Sequence, residues 1–144
     1  MNLSPDALLE LTLAVASPVE VADRRCIPIT GGKVTGRYHG TVLPGGADWQ
    51  RIGADGTIEI DARYVLALEE GRVEIRSTGL RSGPPDVLAQ LARGETVDPA
   101  RYYFRTAIRF ATAAPALARL NHIIALARGE RGPDGVRIII HEVT

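Results

Sequence analysis

Apolar and polar residues alternate with a period of two along most of the chain, in runs broken by glycine and proline clusters, and this predicts strands. Leu9, Leu11, Leu13 and Val15 fall on one side of a first strand, with Glu10 and Thr12 on the other. Gly31-Gly32, Gly36, Gly40 and Pro44-Gly45-Gly46 then divide the next stretch into short strands near Lys33–Leu43 and Asp48–Ile52. Such glycines suit tight turns, bulges and the sharp bends at barrel corners. After Asp55-Gly56, the segments Thr57–Glu69 and Arg72–Thr78 flank Glu70-Gly71, which reads as a hairpin turn. That register sets Leu68 opposite Val73, Leu66 opposite Ile75 and Tyr64 opposite Ser77 on an apolar face. Ala67 with Glu74, Val65 with Arg76 and Arg63 with Thr78 make the other, charged face, so one face is expected to be buried.

Pro84-Pro85-Asp86 begins the one predicted helix, Pro85–Arg93, which carries Val87, Leu88 and Leu91 at helical spacing and stops at Gly94. A strand over Arg101–Thr112 alternates Tyr102, Phe104, Thr106, Ile108 and Phe110 against Tyr103, Arg105, Ala107 and Arg109. A last hairpin joins Ala118–Arg128 to Gly135–Val143. Pairing Arg128 with Gly135 sets Ala125 against Ile138, Ile123 against Ile140, Ile124 against Ile139 and His122 against His141. Both faces are largely apolar, which predicts cover on both sides, by the barrel interior and by a helix, a loop or a second subunit.

About eight or nine sequential strands with one short helix predict an all-β fold, a small antiparallel meander or up-and-down barrel, because closure removes exposed edges. A two-sheet sandwich is the alternative. No repeat, low-complexity tract or linker divides the 144 residues, so one domain spanning residues 1–144 is expected.

Seventeen basic and seventeen acidic residues cancel. The most basic stretch, Arg128–Arg137, is interrupted by Glu130 and Asp134, so no nucleic-acid partner is expected. The start, Met-Asn-Leu-Ser-Pro-Asp, has no basic region ahead of an apolar run, and no run approaches the ~20 residues of a membrane span. A soluble, cytoplasmic protein without a membrane partner is the expectation. Cys26 has no second cysteine to pair with, which favours a reducing compartment, and its apolar setting reads as a small buried hydrophobe rather than a nucleophile.

Four stretches carry a family resemblance: Pro28-Ile-Thr-Gly-Gly32, Gly40-Thr-Val-Leu-Pro-Gly-Gly-Ala-Asp-Trp49, Asp61-Ala-Arg-Tyr64 and Tyr103-Phe-Arg-Thr-Ala107. In motif order and over nearly its whole length, the chain resembles a bacterial family catalogued as domain of unknown function 3237. The resemblance implies a compact β-barrel and imports no mechanism. Ile108 departs from it, standing where related sequences often carry proline.

Pro44-Gly-Gly-Ala-Asp48-Trp49 is the densest candidate for chemistry, since two glycines permit close backbone approach and place an acid and the sole Trp at a strand start. Asp48 is a candidate general base against an aromatic wall, Trp49; the plain alternative is a turn cap and a barrel plug. Tyr64 is a candidate donor, because a buried hydroxyl needs a partner. Asp61 and Arg63 share a strand face, as a lumenal charged pair or as a solvent-facing ion pair. Tyr103, Arg105 and Arg109 also share a face, where two guanidiniums suit a carboxylate or phosphate, or simply acids on neighbouring strands. Asn121 is a candidate lining residue beside Glu142. His122 and His141, with His39 not visibly placed near them, fall short of a ligand set, so no metal is expected. Gly31-Gly-Lys33-Val34 is not a phosphate loop, and no dinucleotide fingerprint or nucleophile elbow is present, so no cofactor is expected.

The leading expectation is a barrel binding an apolar cyclic or aromatic compound that bears a carbonyl or hydroxyl. It extends to a cofactor-independent isomerase, cyclase or lyase type of proton transfer, with Asp48 as base and Tyr64 and Arg105 stabilising negative charge. A non-enzymatic carrier or sensor, and a homo-oligomeric interaction module without a pocket, are the alternatives. Homo-oligomerisation fits all three.

Overall fold

The period-two pattern resolves into ten strands in a computed structural model that describes residues 1–144. In chain order they are β1 (Leu9–Val15), β2 (Val19–Val21), β3 (Arg24–Gly36), β4 (Gly40–Val42), β5 (Gly46–Ile52), β6 (Ile58–Leu68), β7 (Gly71–Ser82), β8 (Tyr103–Ala111), β9 (Ala125–Gly132) and β10 (Gly135–Glu142). The helix α1 (Pro85–Ala92) and a 3-10 segment, Pro115–His122, lie between strands. No helix is long and apolar enough to cross a membrane.

All pairings are antiparallel, and β1 pairs with β10 on one side and β3 on the other, which closes the sheet into a barrel. This closure excludes the sandwich. Around the ring, β10, β9, β8, β7 and β6 follow as neighbours. The strands β4 and β5 share the place between β3 and β6: β4 meets Leu66–Leu68, and β5 meets Ile58–Arg63. The short β2 pairs with the start of β3.

Inward positions carry the core. Leu9, Leu11, Leu66, Ile75, Ile108 and Ile140 are fully buried, each stabilising the fold by roughly 1.5–3 kcal/mol. The two helical segments close opposite ends of β6. Leu88 of α1 lies against Gly56 in the β5–β6 turn. Ala114, just ahead of the 3-10 segment, abuts Gly71 at the β6–β7 turn, and Leu117 and Leu120 point into the core.

Both predicted hairpins form with residues on their expected sides, β6–β7 in a shifted register and β9–β10 in a tighter one, although Leu126 on the outer side of β9, expected to be covered, is exposed. In β6–β7 the turn is Glu69-Glu70, and Leu68 pairs with Gly71, Leu66 with Val73, Tyr64 with Ile75 and Ala62 with Ser77. In β9–β10 the turn is Pro133-Asp134, so Gly132 pairs with Gly135, Arg128 with Ile139 and Leu126 with His141. Both shifts are even, so every side chain keeps its face. Residues 118–122, expected as the start of a strand, instead belong to a 3-10 segment that starts on Pro115. His122 therefore does not face His141. Cys26, expected to be buried, is half-buried because it alternates on β3 with the inward Ile27.

Candidate functional site

Most strands present apolar side chains to the lumen, but β5 presents Asp48 and Gln50, two residues apart and therefore on one face. Gly46 begins this strand directly over Tyr64. A Cβ at Gly46 would lie 2.5 Å from the Tyr64 Cβ and 2.7 Å from the Arg63 carbonyl oxygen, so only glycine lets β5 approach this closely. Asp48 Oδ2 accepts a hydrogen bond from Gln50 Nε2 at 2.6 Å, and Gln50 Oε1 accepts one from Arg25 Nε at 2.7 Å. The other carboxylate oxygen, Asp48 Oδ1, is buried without a partner.

Across the lumen, β7 contributes Ser77 and Arg81, β8 contributes Phe104 and Thr106, and β9 contributes Arg131. Arg81 and Thr106 are each only 4% exposed, and Arg81 Nε and Thr106 Oγ1 are also buried without partners. The Phe104 ring lies on Gly129, where an added Cβ would stand 2.5 Å from three ring carbons. Tyr102 Oη accepts the Arg131 backbone N–H at 2.9 Å. Together these groups bound a cavity of about 50 Å³ whose remaining walls, including Leu13, Ile29 and Ile60, are apolar. Half-buried Val15, Val136 and Arg131 belong to the same lining.

Burial raises the Asp48 carboxyl above its ordinary value, opposed by the Gln50 hydrogen bond, then by the Asp61 backbone N–H and the charges of Arg25 and Arg81. Burial, and then the nearby Asp48 carboxylate, hold the Tyr64 phenol well above its ordinary range, so it is a neutral donor. Arg81 is pushed down to about 10, first by burial and then by repulsion from Arg131 and Arg25. Arg25 is lowered by burial and by Arg131. The chain's ion pairs lie elsewhere, such as Arg76–Asp61, Arg119–Glu142 and Arg137–Glu10, and none involves Arg25, Arg81 or Arg131.

Of the candidates read from the sequence, the structure brings Asp48 and Tyr64 together at the lumen. It does not bring Arg105 or Trp49 there. Arg105 stands between inward Phe104 and Thr106, so strand alternation turns it outward. Its guanidinium lies 5.2 Å from the Tyr103 ring centroid, and Nη1 donates to the Phe104 carbonyl at 3.0 Å. Trp49 likewise alternates with Asp48 and Gln50 and is 57% exposed. Arg109 is exposed beside Arg76 on the outer face of β7 and β8.

Asp61 and Arg63 face solvent, paired with Arg76 at 3.6 Å and with Glu74 at 4.0 Å. Such exposed pairs are worth roughly 0–1 kcal/mol. Asn121 is structural: its Oδ1 accepts the Thr112 N–H at 2.8 Å and its Nδ2 donates to the Thr112 carbonyl at 3.0 Å. Glu142 is met by Arg119. No group of three or more His, Cys, Asp or Glu side chains is placed to hold a metal.

Arg25, Gln50, Arg81, Thr106 and Arg131 were not singled out by sequence reasoning as site residues. Gln50 had a usable signal, two residues after Asp48. Arg81 continues the inward series Val73, Ile75, Ser77, Gly79, but only if β7 runs past Thr78. Arg131 becomes a strand residue only in the tighter β9–β10 register.

Residues 1–143 match the family described as "Protein of unknown function (DUF3237)". A UPF0311 protein of Bradyrhizobium diazoefficiens is 40% identical over 132 residues, covering 91% of this chain and 87% of its own. A crystal structure of a conserved protein of unknown function from Rhodopseudomonas palustris superposes with a TM-score of 0.94 at 36% identity, over 100% of this chain and 99% of that one. A β-barrel-like protein from Acinetobacter baumannii superposes with a TM-score of 0.84 at 32% identity, over 100% and 98% of the two chains.

Proposed function

Given a chain that belongs to the DUF3237 family, described as proteins of unknown function, we propose that its lumen binds a small organic molecule and transfers a proton on it using side chains alone. The observation carrying this reading is the convergence of three buried, unpartnered polar atoms, Asp48 Oδ1, Arg81 Nε and Thr106 Oγ1, on one cavity. Buried polar atoms are nearly always satisfied, and an orphan costs about 1–3 kcal/mol. Three around one space suit a guest that supplies the missing partners.

Asp48 is the acid–base group. Burial moves its carboxyl toward the range in which proton transfer runs in both directions. Gln50 holds one oxygen and leaves the other for the proton. Arg81 takes the developing negative charge, in the role expected for Arg105, and the Tyr64 hydroxyl supplies a further donor. A cavity of about 50 Å³ admits the reacting group, a carbonyl or hydroxyl, and not a whole ring system. The apolar body of the ligand extends past Val15 and Val136.

The test is solvent exchange. The protein is incubated in D2O with a panel of small cyclic ketones and enones, and deuterium uptake at carbon is read by mass spectrometry. Accelerated uptake in at least one compound is expected, falling 100-fold or more in Asp48→Asn and unchanged in Trp49→Ala. Uptake indifferent to Asp48→Asn refutes the assignment. Self-association has its candidate surface on the outer face of β7–β9, where Leu80, Tyr103 and Leu126 are exposed, and sedimentation velocity across a dilution series tests it.

A further inference from the structure

Resting on the ligand-binding reading above, we infer that the lumen selects an organic anion, a carboxylate or an ionised enol, and seats its charged oxygen on Arg81. Two guanidiniums, Arg81 and Arg131, and one carboxyl, Asp48, line the cavity, and a third guanidinium, Arg25, reaches it through Gln50. None of the three cations has an ion-pair partner, whereas arginines on the outer face, such as Arg76 and Arg137, do. Asp48 makes no ion pair with any of them: one of its oxygens is bonded to Gln50, and Oδ1 has no side-chain partner. Asp48, and Glu20 beside Arg25, offset part of this charge, and three guanidiniums against them leave the cavity with an excess of positive charge.

Arg81 is the focus of that excess. It is 96% enclosed, since only 4% of its surface is exposed, and its Nε–H points at no acceptor. A buried guanidinium left this way is costly, and a fold needing only volume there would use an apolar side chain. A neutral guest would satisfy Asp48 and Thr106 but leave this charge uncompensated. An oxyanion accepts from Arg81 Nε and Thr106 Oγ1 together and relieves the repulsion among the three arginines. Arg131 and Arg25 are half-buried, nearer solvent than Arg81, and draw an anion inward by the same field.

Benzoate, benzamide and benzylamine share a ring and differ in charge, so they isolate this claim. Each is titrated into ¹⁵N-labelled protein, following the Arg81 Nε–H and the backbone amides of Gln50, Arg81, Thr106 and Arg131. Benzoate is expected to bind at the lumen at least ten-fold more tightly than benzamide, with no lumenal shift from benzylamine. Arg81→Met should weaken benzoate ten-fold or more and leave benzamide within two-fold; Arg105→Met, on the outer face, should change neither. If Arg81→Met fails to fold, Arg131→Gln serves, with a several-fold loss for benzoate alone. Equal binding of benzoate and benzamide, or benzoate binding indifferent to these lumenal variants, overturns the inference while leaving the ligand-binding reading intact. Absence of any lumenal shift from all three probes overturns it too, and the deuterium-exchange screen then decides the proton-transfer reading independently.

Discussion

Replacing Arg81 by methionine should make the barrel more stable while removing its preference for anions. The magnitude follows from the environment of the guanidinium. Burial and repulsion from Arg131 and Arg25 bring it from 12.5 down to about 10. At about 1.4 kcal/mol per pH unit, that difference of roughly 2.5 corresponds to about 3 kcal/mol held against the charged form. The sign is fixed by linkage. The group is protonated in both folded and unfolded chains at neutral pH, so the penalty is present there in full. It is relieved only as pH rises through about 10, where the folded chain releases the proton before the unfolded one. Methionine keeps an unbranched stem of similar length and needs no partner. After allowance for lost packing, the expected gain is about 1–3 kcal/mol. Urea unfolding at neutral pH, followed by far-UV circular dichroism, reads this as a higher midpoint with an unchanged slope. A loss of more than about 1 kcal/mol would show instead that the guanidinium is a net source of native stability.

Two further substitutions test neighbouring parts of the account. Asp48→Asn should flatten the pH dependence of stability: with its carboxyl raised by burial, the folded chain holds that proton longer than the unfolded one. Wild-type stability is then expected to fall as pH rises from the ordinary carboxyl range through the raised value, and to stay lower above it. Thermal melts across mildly acidic to neutral pH check this, and identical profiles in wild type and variant would contradict it. Gly129→Ala drives a methyl group to 2.5 Å from the Phe104 ring. Overpacking of this kind costs about 1–3 kcal/mol, read as a lower urea midpoint, and a neutral result would show that Phe104 is free to move.

The closed all-β barrel was legible because alternation survives in the longest strands. Leu9 to Leu13 on β1 and Tyr102 to Phe110 around β8 show it plainly. Hairpin registers were legible only to within an even shift, since any such shift preserves the faces and the pattern cannot tell them apart. Residues 118–122 of the 3-10 segment pass for strand because Leu120 runs on into the apolar stretch of β9 with no glycine or proline between them. Asp48 and Tyr64 stood out from local composition. The arginines opposite them did not, because Arg81 and Arg131 sit at strand ends where length and register decide which way a side chain points. Arg105 looked equally suitable as a residue type, and its neighbours Phe104 and Thr106 already placed it on the outer face.

The lumen, rather than the outer face around Tyr103 and Arg105, receives the organic oxyanion inferred above. A crystal structure grown with benzoate tests it most directly. The carboxylate is expected against Arg81 Nε and Thr106 Oγ1, with the ring directed past Val15 and Val136. Benzoate held only on the outer face against Arg105, with the lumen closed to it, would rule out a lumenal oxyanion site.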